Sequence, residues 1–192
     1  MYECDYLIIG AGIIGLSIAK ELQITNPSAT IIIIEKEKVV GRHASGRNSG
    51  VLHSGVYYSP DTIKGKICNQ GSKEMLKYCQ ENNLPHIKFG KTIISKGEDN
   101  IELLYNRAIE YGIKAEILDK KQLYDIEPCC SPVVDRSLHL SDTHVIDPLS
   151  ILNSIRSLFE LNGGKIHFSN KVIGVDSCNS TFFTMVYPHP ES

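Results

Sequence analysis

The sequence predicts an α/β fold of the doubly wound kind, and three observations near its start carry that prediction. Tyr6 to Ile9 is an apolar, β-prone run. Gly10 to Gly15 interrupt it, and Ile14, Ile18 and Leu22 then recur at helical spacing as far as Pro27. Thr30 to Ile34 is continuously apolar and mostly β-branched, the pattern of a parallel strand covered on both faces, and it ends at an acid, Glu35. Strand, glycine turn, helix and strand make one βαβ unit.

The glycines of that turn have a meaningful spacing. Gly10, Gly12 and Gly15 form GxGxxG between strand and helix, with Glu35 twenty residues past the last of them. Gly10 permits the tight turn, Gly12 lets backbone approach a pyrophosphate, and Gly15 lets helix and strand pack closely. The anion then rests on unpaired N–H groups at the helix N-terminus. Glu35 would accept hydrogen bonds from ribose hydroxyls and repel a 2′-phosphate, which disfavours an NADP-type ligand. A Rossmann-like dinucleotide-binding domain is therefore expected, with a purely structural glycine turn as the competing reading. The fingerprint does not separate FAD from NAD.

The remaining elements follow in order. Gly41 to Ser59 has no hydrophobic period and is rich in Gly, Ser, His, Arg and Asn, which makes it a long loop of the functional kind. Asp61 can cap a helix with Ile63, Ile67, Met75 and Cys79 on or near one face, ending around Asn82 and Asn83. Phe89 to Ser95 reads as a strand. A helix with Ile101, Leu104, Ala108 and Tyr111 stops at Gly112, and Asp119 with Gln122 forms a capping box for a short helix before Pro128. Asp147 and Pro148 open a helix with Ile151, Ile155, Leu158 and Phe159 inward, closed by Gly163 and Gly164. Lys165 to Phe168 and Lys171 to Val175 read as strands. After Asp176 the pattern decays, and no element is expected as the chain runs out through Pro188, His189 and Pro190.

Composition bounds the partners. The 192 residues suit one domain, or one and a piece of another, and 42% hydrophobic with 22% charged residues is globular. A net charge of −2 without a basic cluster excludes nucleic acid as an expected partner. The longest wholly apolar run, Ile31 to Ile34, is far short of the roughly 20 residues a spanning helix needs, so only a peripheral membrane contact is expected. Six cysteines without a CxxC pair, and strand-like sequence from the outset with no secretory leader, lead to the expectation of a reduced, cytoplasmic protein, peripheral at the inner face of a membrane if it meets one. The adjacent Cys129 and Cys130 are expected as free thiols.

The segment Arg42 to Tyr58, RHASGRNSGVLHSGVYY, carries a resemblance. It resembles the signature of the FAD-dependent D-amino-acid-oxidase-like superfamily, and SGxNSGxxHxGxYY is similar, more narrowly, to the L-2-hydroxyglutarate oxidase/dehydrogenase branch. Phe89-Gly90-Lys91, Thr143 to Pro148 and the strand pair ending near Asp176 extend the likeness over roughly the first 176 residues. The resemblance implies FAD, with Gly10, Gly12, Gly15 and Glu35 holding its ADP half and Arg42, Ser45, Asn48, Ser49 and Gly50 at pyrophosphate or ribityl groups. It implies also that the Val172 backbone meets the adenine edge. The domains it implies are residues 1–85, the first part of the FAD-binding domain; 86–146, an inserted α+β substrate domain; 147–176, a return to the FAD domain; and 177–192, an unmatched tail. Family members are longer, so the chain reads as an apparently truncated N-terminal portion with a missing, complementing C-terminal half.

The activity so implied is oxidation of a 2-hydroxy acid, L-2-hydroxyglutarate to 2-oxoglutarate, with hydride passing to flavin N5 and electrons onward to oxygen or a quinone. An amine, amino-acid or glycerol-3-phosphate oxidoreductase is the alternative, and an inactive fragment is another. His53 is the candidate catalytic base, because imidazole titrates near neutrality; a histidine that merely packs under the cofactor competes with that role. Arg47 is a candidate cation for an anionic dicarboxylate. Tyr57 and Tyr58 suit either a substrate mouth or a core edge. Histidines 43, 86, 139, 144, 167 and 189 show no HxH or HxxxH spacing, so no metal is expected.

Overall fold

The computed structural model describes residues 3–94, 100–130, 136–178 and 181–188. The chain forms two compact units, residues 1–48 with 148–192 and residues 49–147. Residues 49–85, expected in the first part of the dinucleotide domain, pack with the second unit. The reason is local: Val56 is buried in that unit's core, and Arg107 and Tyr111 hydrogen-bond the carbonyls of Tyr57 and Tyr58.

The first unit is built on β1 (Tyr6–Ile9), α1 (Ile13–Thr25) and β2 (Ile31–Ile34). The two strands pair in parallel from Tyr6 with Ile31 to Ile9 with Ile34. After α5 (Pro148–Leu161), β8 (Lys165–His167) pairs in parallel with β2, giving the sheet order β1-β2-β8. The central strand is buried along most of its length, as its apolar run predicts. Helices α1 and α5 pack together, and Gln23 of α1 donates through Nε2 to the carbonyls of Phe159 and Asn162, 3.0 and 3.2 Å away. Gly164 follows α5 where a Cβ would strike the Phe159 ring, and Phe159 is fully buried.

The inward face of α1 differs from expectation. Leu16 and Ala19 are its buried residues, whereas Ile14 and Ile18 remain 74% and 48% exposed. The sheet order explains it, because β1 has one neighbouring strand among the described residues and its own Leu7 and Ile9 are also exposed. The decay expected after Asp176 is also corrected: β9 (Asn170–Cys178) and β10 (Thr181–Pro188) form an antiparallel hairpin, and the β-branched and aromatic residues from Thr181 supply its second strand. His189 and Pro190 lie outside the described residues.

The second unit contains α2 (Ile63–Glu81), β3 (His86–Lys88), β4 (Lys91–Ile94), α3 (Ile101–Glu110), β5 (Ala115–Asp119), α4 (Lys120–Ile126), β6 (Arg136–Leu140) and β7 (His144–Ile146). Strands β4, β6 and β5 make an antiparallel sheet in that order, and β3 pairs with β7. Its core joins Val56, Ile93, Leu138 and Leu140 to Ile101, Leu104 and Ala108 of α3. The capping box at α4 is present as read, with Asp119 accepting from the Gln122 N–H and Gln122 from the Asp119 N–H.

Three expectations are corrected here. The cap of α2 is Thr62, not Asp61, and its hydroxyl accepts from the Gly65 N–H. Ile63 and Ile67 are 77% and 65% exposed, while Gly65 and Cys79 are the buried positions of that helix. The strand expected from Phe89 to Ser95 is represented by β4, Lys91–Ile94, alone; β3 ends at Lys88, before that stretch, and Gly90 with its left-handed φ of +78° stands between the two. Ser95 lies outside the described residues.

Candidate dinucleotide site

The glycine turn of the first unit has the local geometry its spacing predicts. Gly10 has φ +100°, a conformation that favours glycine, and a Cβ on Gly15 would run into the Gly10 carbonyl oxygen. Helix α1 therefore starts directly against β1. Its N-cap, Gly12, provides no side-chain cap, and the first turn carries no acidic residue, so the start of the helix suits an anion.

Glu35 is buried at 7% exposure, and both carboxylate oxygens accept backbone donors. Oε2 takes the Ala11 N–H at 2.7 Å and Oε1 takes the Glu37 N–H at 2.9 Å. The carboxylate thus ties the glycine turn to the end of β2 and keeps further lone pairs for hydroxyl donors. Ser45 lies in the 3-10 turn Ala44–Gly46, and its Oγ accepts the Ile13 N–H at 3.0 Å. That bond brings the loop after β2 onto the start of α1. Gly41, with φ +67°, approaches Leu152 of α5 so closely that a Cβ would collide with it, which seats the same loop on the helix.

These elements enclose a cleft of about 370 Å³, within the range of small-molecule sites. Six of the ten expected cofactor residues line it: Gly10, Gly12, Glu35, Arg42, Ser45 and Val172. Gly15 packs beneath the turn. Asn48 braces the loop, donating through Nδ2 to the carbonyls of Ala44 and Ser45. Ser49 and Gly50 belong to the second unit, where the Gly50 carbonyl accepts the Ile146 N–H at 2.9 Å. Reading the sequence did not pick out Lys36, His43, Asn170 and Lys171, which also line the cleft. His43 Nε2 lies 2.7 Å from Glu37 Oε1, and Asn170 bonds its N–H to the Glu35 carbonyl. The one sequence signal for the last two was the polar start of the strand already read at Lys171.

The residues present fit a dinucleotide: a buried carboxylate with spare acceptor capacity, a glycine cradle that a Cβ would fill, a helix start whose own N-cap residue is a glycine, and Lys36, Arg42 and Lys171 to balance a diphosphate.

His53 stands in the second unit. Leu52 donates its N–H to the His144 carbonyl and Val51 bridges to Val145, so residues 50–52 run against β7 and deliver His53 just beyond it. Desolvation first, and then the Lys91 charge, push its imidazole below its ordinary value. Arg47 is exposed and caps the end of the 3-10 turn. No cluster of metal-ligating side chains is found among the described residues. No helix among them is long and apolar enough to cross a membrane.

Sheet, glycine turn and buried acid define an adenine-dinucleotide-binding α/β protein. The sequence profile of the DAO family, FAD-dependent oxidoreductases, matches residues 5–182, and the chain belongs to that family, whose cofactor is FAD. It is 32% identical over 182 residues to an L-2-hydroxyglutarate dehydrogenase of Indibacter alkaliphilus, covering 93% of this chain and 45% of the relative. With the mitochondrial L-2-hydroxyglutarate dehydrogenase of Dictyostelium discoideum the identity is 40% over 148 residues, 74% of this chain and 33% of the relative. Among solved structures, the FAD-bound L-alpha-glycerophosphate oxidase of Mycoplasma pneumoniae superposes with TM-score 0.84 at 23% identity, over 97% of this chain and 50% of that one. Glycine oxidase from Geobacillus kaustophilus gives 0.81 at 17%, over 97% and 52%. The chain thus spans about half or less of the length of these proteins.

Proposed function

We propose that the protein works in the FAD-dependent oxidation of a 2-hydroxy acid, with L-2-hydroxyglutarate converted to 2-oxoglutarate. The observation that carries this reading is the 31–40% identity to L-2-hydroxyglutarate dehydrogenases over most of the chain. FAD, when bound, supplies the two-electron acceptor. The residues of the chain do the rest. The start of α1 with Arg42 and Lys171 holds the diphosphate, and Glu35 accepts the ribose hydroxyls while keeping the turn in place. Ser45, whose Oγ accepts the Ile13 N–H, would keep its own O–H to donate to a phosphate oxygen. Asn48, Ser49 and Gly50 shape the loop that leads on to His53.

His53 is the base in this reading. Burial and the Lys91 ammonium favour its neutral form, which is the form that can accept the hydroxyl proton of the substrate at neutral pH. Completion of the site calls on a complementing C-terminal half, in keeping with relatives more than twice as long. Electrons leave to oxygen or a quinone, and the free thiols of Cys4, Cys68, Cys79, Cys129 and Cys130 suit a reducing compartment such as the cytoplasm, at a membrane periphery where the acceptor is a quinone.

The test is anaerobic bleaching of flavin absorbance in protein recovered from its own source with an antibody to this chain, so that whatever completes it is retained. Bleaching by L-2-hydroxyglutarate, and not by its D-enantiomer, supports the reading. Bleaching by glycine, L-proline or glycerol 3-phosphate instead would replace it with the amine or glycerophosphate alternative. Protein without flavin would leave only a fragment.

A further inference from the structure

Beside His53 the second unit gathers three cationic side chains, none of which forms an ion pair among the described residues, although the charges of Asp61 and Glu110 reach the adjoining Tyr111. Lys91 opens β4 immediately after the left-handed Gly90, and its Nζ lies 4.5 Å from the centroid of the Tyr57 ring. Lys64, in the first turn of α2, lies 4.3 Å from the centroid of the Tyr58 ring. Arg107 of α3 donates through Nη1 to the Tyr57 carbonyl at 3.1 Å. Three elements thus bring one cation each to the pair Tyr57–Tyr58, four residues along from His53. The ion pairs of this unit lie elsewhere: Lys88 and Lys114 share Asp142, Arg136 meets Glu102, and Lys77 meets Glu81.

An ammonium on an aromatic face uses one side for the ring and keeps N–H donors for another acceptor. Tyr57 is 48% exposed, so that acceptor can come from solvent. The charge of Lys91 is also felt at the His53 imidazole, which places both groups in one neighbourhood.

We propose that this cluster receives a carboxylate of the substrate, and that Lys91 is the residue that selects a dicarboxylic over a monocarboxylic 2-hydroxy acid. The proposal rests on the 2-hydroxy-acid reading and deepens it. Cation–π contact holds the Lys91 side chain in place before ligand arrives, which lowers the cost of ordering it on binding. Lys64 and Arg107 add attraction for a second negative charge, which a dicarboxylate carries and a monocarboxylate lacks.

The experiment follows histidine ring signals of the isotope-labelled chain during titration with L-2-hydroxyglutarate and, separately, L-2-hydroxybutanoate. The wild-type chain binds the dicarboxylate at least about tenfold more tightly, the value of one good charge-assisted contact. Lys91→Met, which keeps the length of the side chain, reduces that ratio at least about fivefold, and Lys91→Arg restores most of it. An unchanged ratio in Lys91→Met, with backbone amide signals showing the fold intact, overturns the proposal. Should Lys91→Met not fold, the ratio is read in Lys91→Gln with the same two outcomes. The two readings fail separately. Flavin bleaching by L-2-hydroxyglutarate with an unaltered Lys91→Met ratio removes the cluster alone, whereas a dicarboxylate preference without any bleaching removes the activity alone.

Discussion

Replacing Glu35 by alanine should loosen the glycine turn even when no cofactor is present. Its carboxylate accepts the N–H of fully buried Ala11 at 2.7 Å and that of Glu37 at 2.9 Å. A hydrogen bond to an ionised group contributes about 1.5–3 kcal/mol, and a buried donor left unmatched costs a similar amount. The Ala11 donor has no route to water, so it bears most of that cost; the Glu37 donor is half-buried and recovers part of it. Glu35→Ala should therefore lower stability by about 2–4 kcal/mol. Glu35→Gln keeps one acceptor oxygen and loses the charge, so about half of that loss is expected, with FAD affinity down roughly tenfold for each 1.4 kcal/mol withdrawn from the ribose contact. Urea unfolding of the chain, followed by circular dichroism at constant m-value, measures the first effect, and fluorescence titration with FAD the second. A Glu35→Ala midpoint within about 0.5 kcal/mol of wild type would refute the strut between turn and β2, since that is the scatter of ordinary surface substitutions.

Other predictions follow from the same contacts. Gly15→Ala places a Cβ against the Gly10 carbonyl and 3.2 Å from Ile8 Cγ2, so it should cost about 1–3 kcal/mol and abolish measurable FAD binding, as read by urea unfolding and titration. Phe159→Ala empties a fully buried position between α5 and Gly164 and should cost about 3–5 kcal/mol in the same unfolding experiment. Asp142 is held below its ordinary carboxylate value mainly by its hydrogen bond from Lys88, with the Lys114 charge adding to it. A group whose folded value is depressed stabilises the fold above its unfolded value near 3.8 and loses that contribution as the pH falls through the folded one. Asp142→Asn should thus flatten the acid limb of a plot of thermal midpoint against pH below about 4 and leave its alkaline limb unchanged.

How much of this was legible depends on whether the signal was local. The βαβ start, Glu35 and the Asp119–Gln122 box are read from spacings of a few residues, and the structure places each where those spacings put it. Which face of a helix is buried is a tertiary property. Ile14 and Ile18 of α1, like Ile63 and Ile67 of α2, have the spacing of a core face and remain exposed, which periodicity within one helix does not reveal. The short strands β5 to β7 escaped notice because three to five residues carry little periodicity, and they exist through pairing with distant partners. β10 was legible in principle, since Thr181 to Pro188 is rich in β-branched and aromatic residues. The wall of the cleft made by Asn170 and Lys171 depends on the Asn170 N–H reaching the Glu35 carbonyl, and no sequence pattern announces that contact.

The central claim is that the start of α1, tied to Glu35, grips the diphosphate and ribose of FAD. A titration of the 15N-labelled chain with FAD tests it directly, followed by amide chemical shifts. The account predicts saturable shifts centred on Ala11, Gly12, Ile13 and the Glu35–Glu37 segment, reproduced by ADP alone and lost in Glu35→Ala. Saturation by FAD that leaves those amides unmoved, or shifts confined to the second unit, would contradict it.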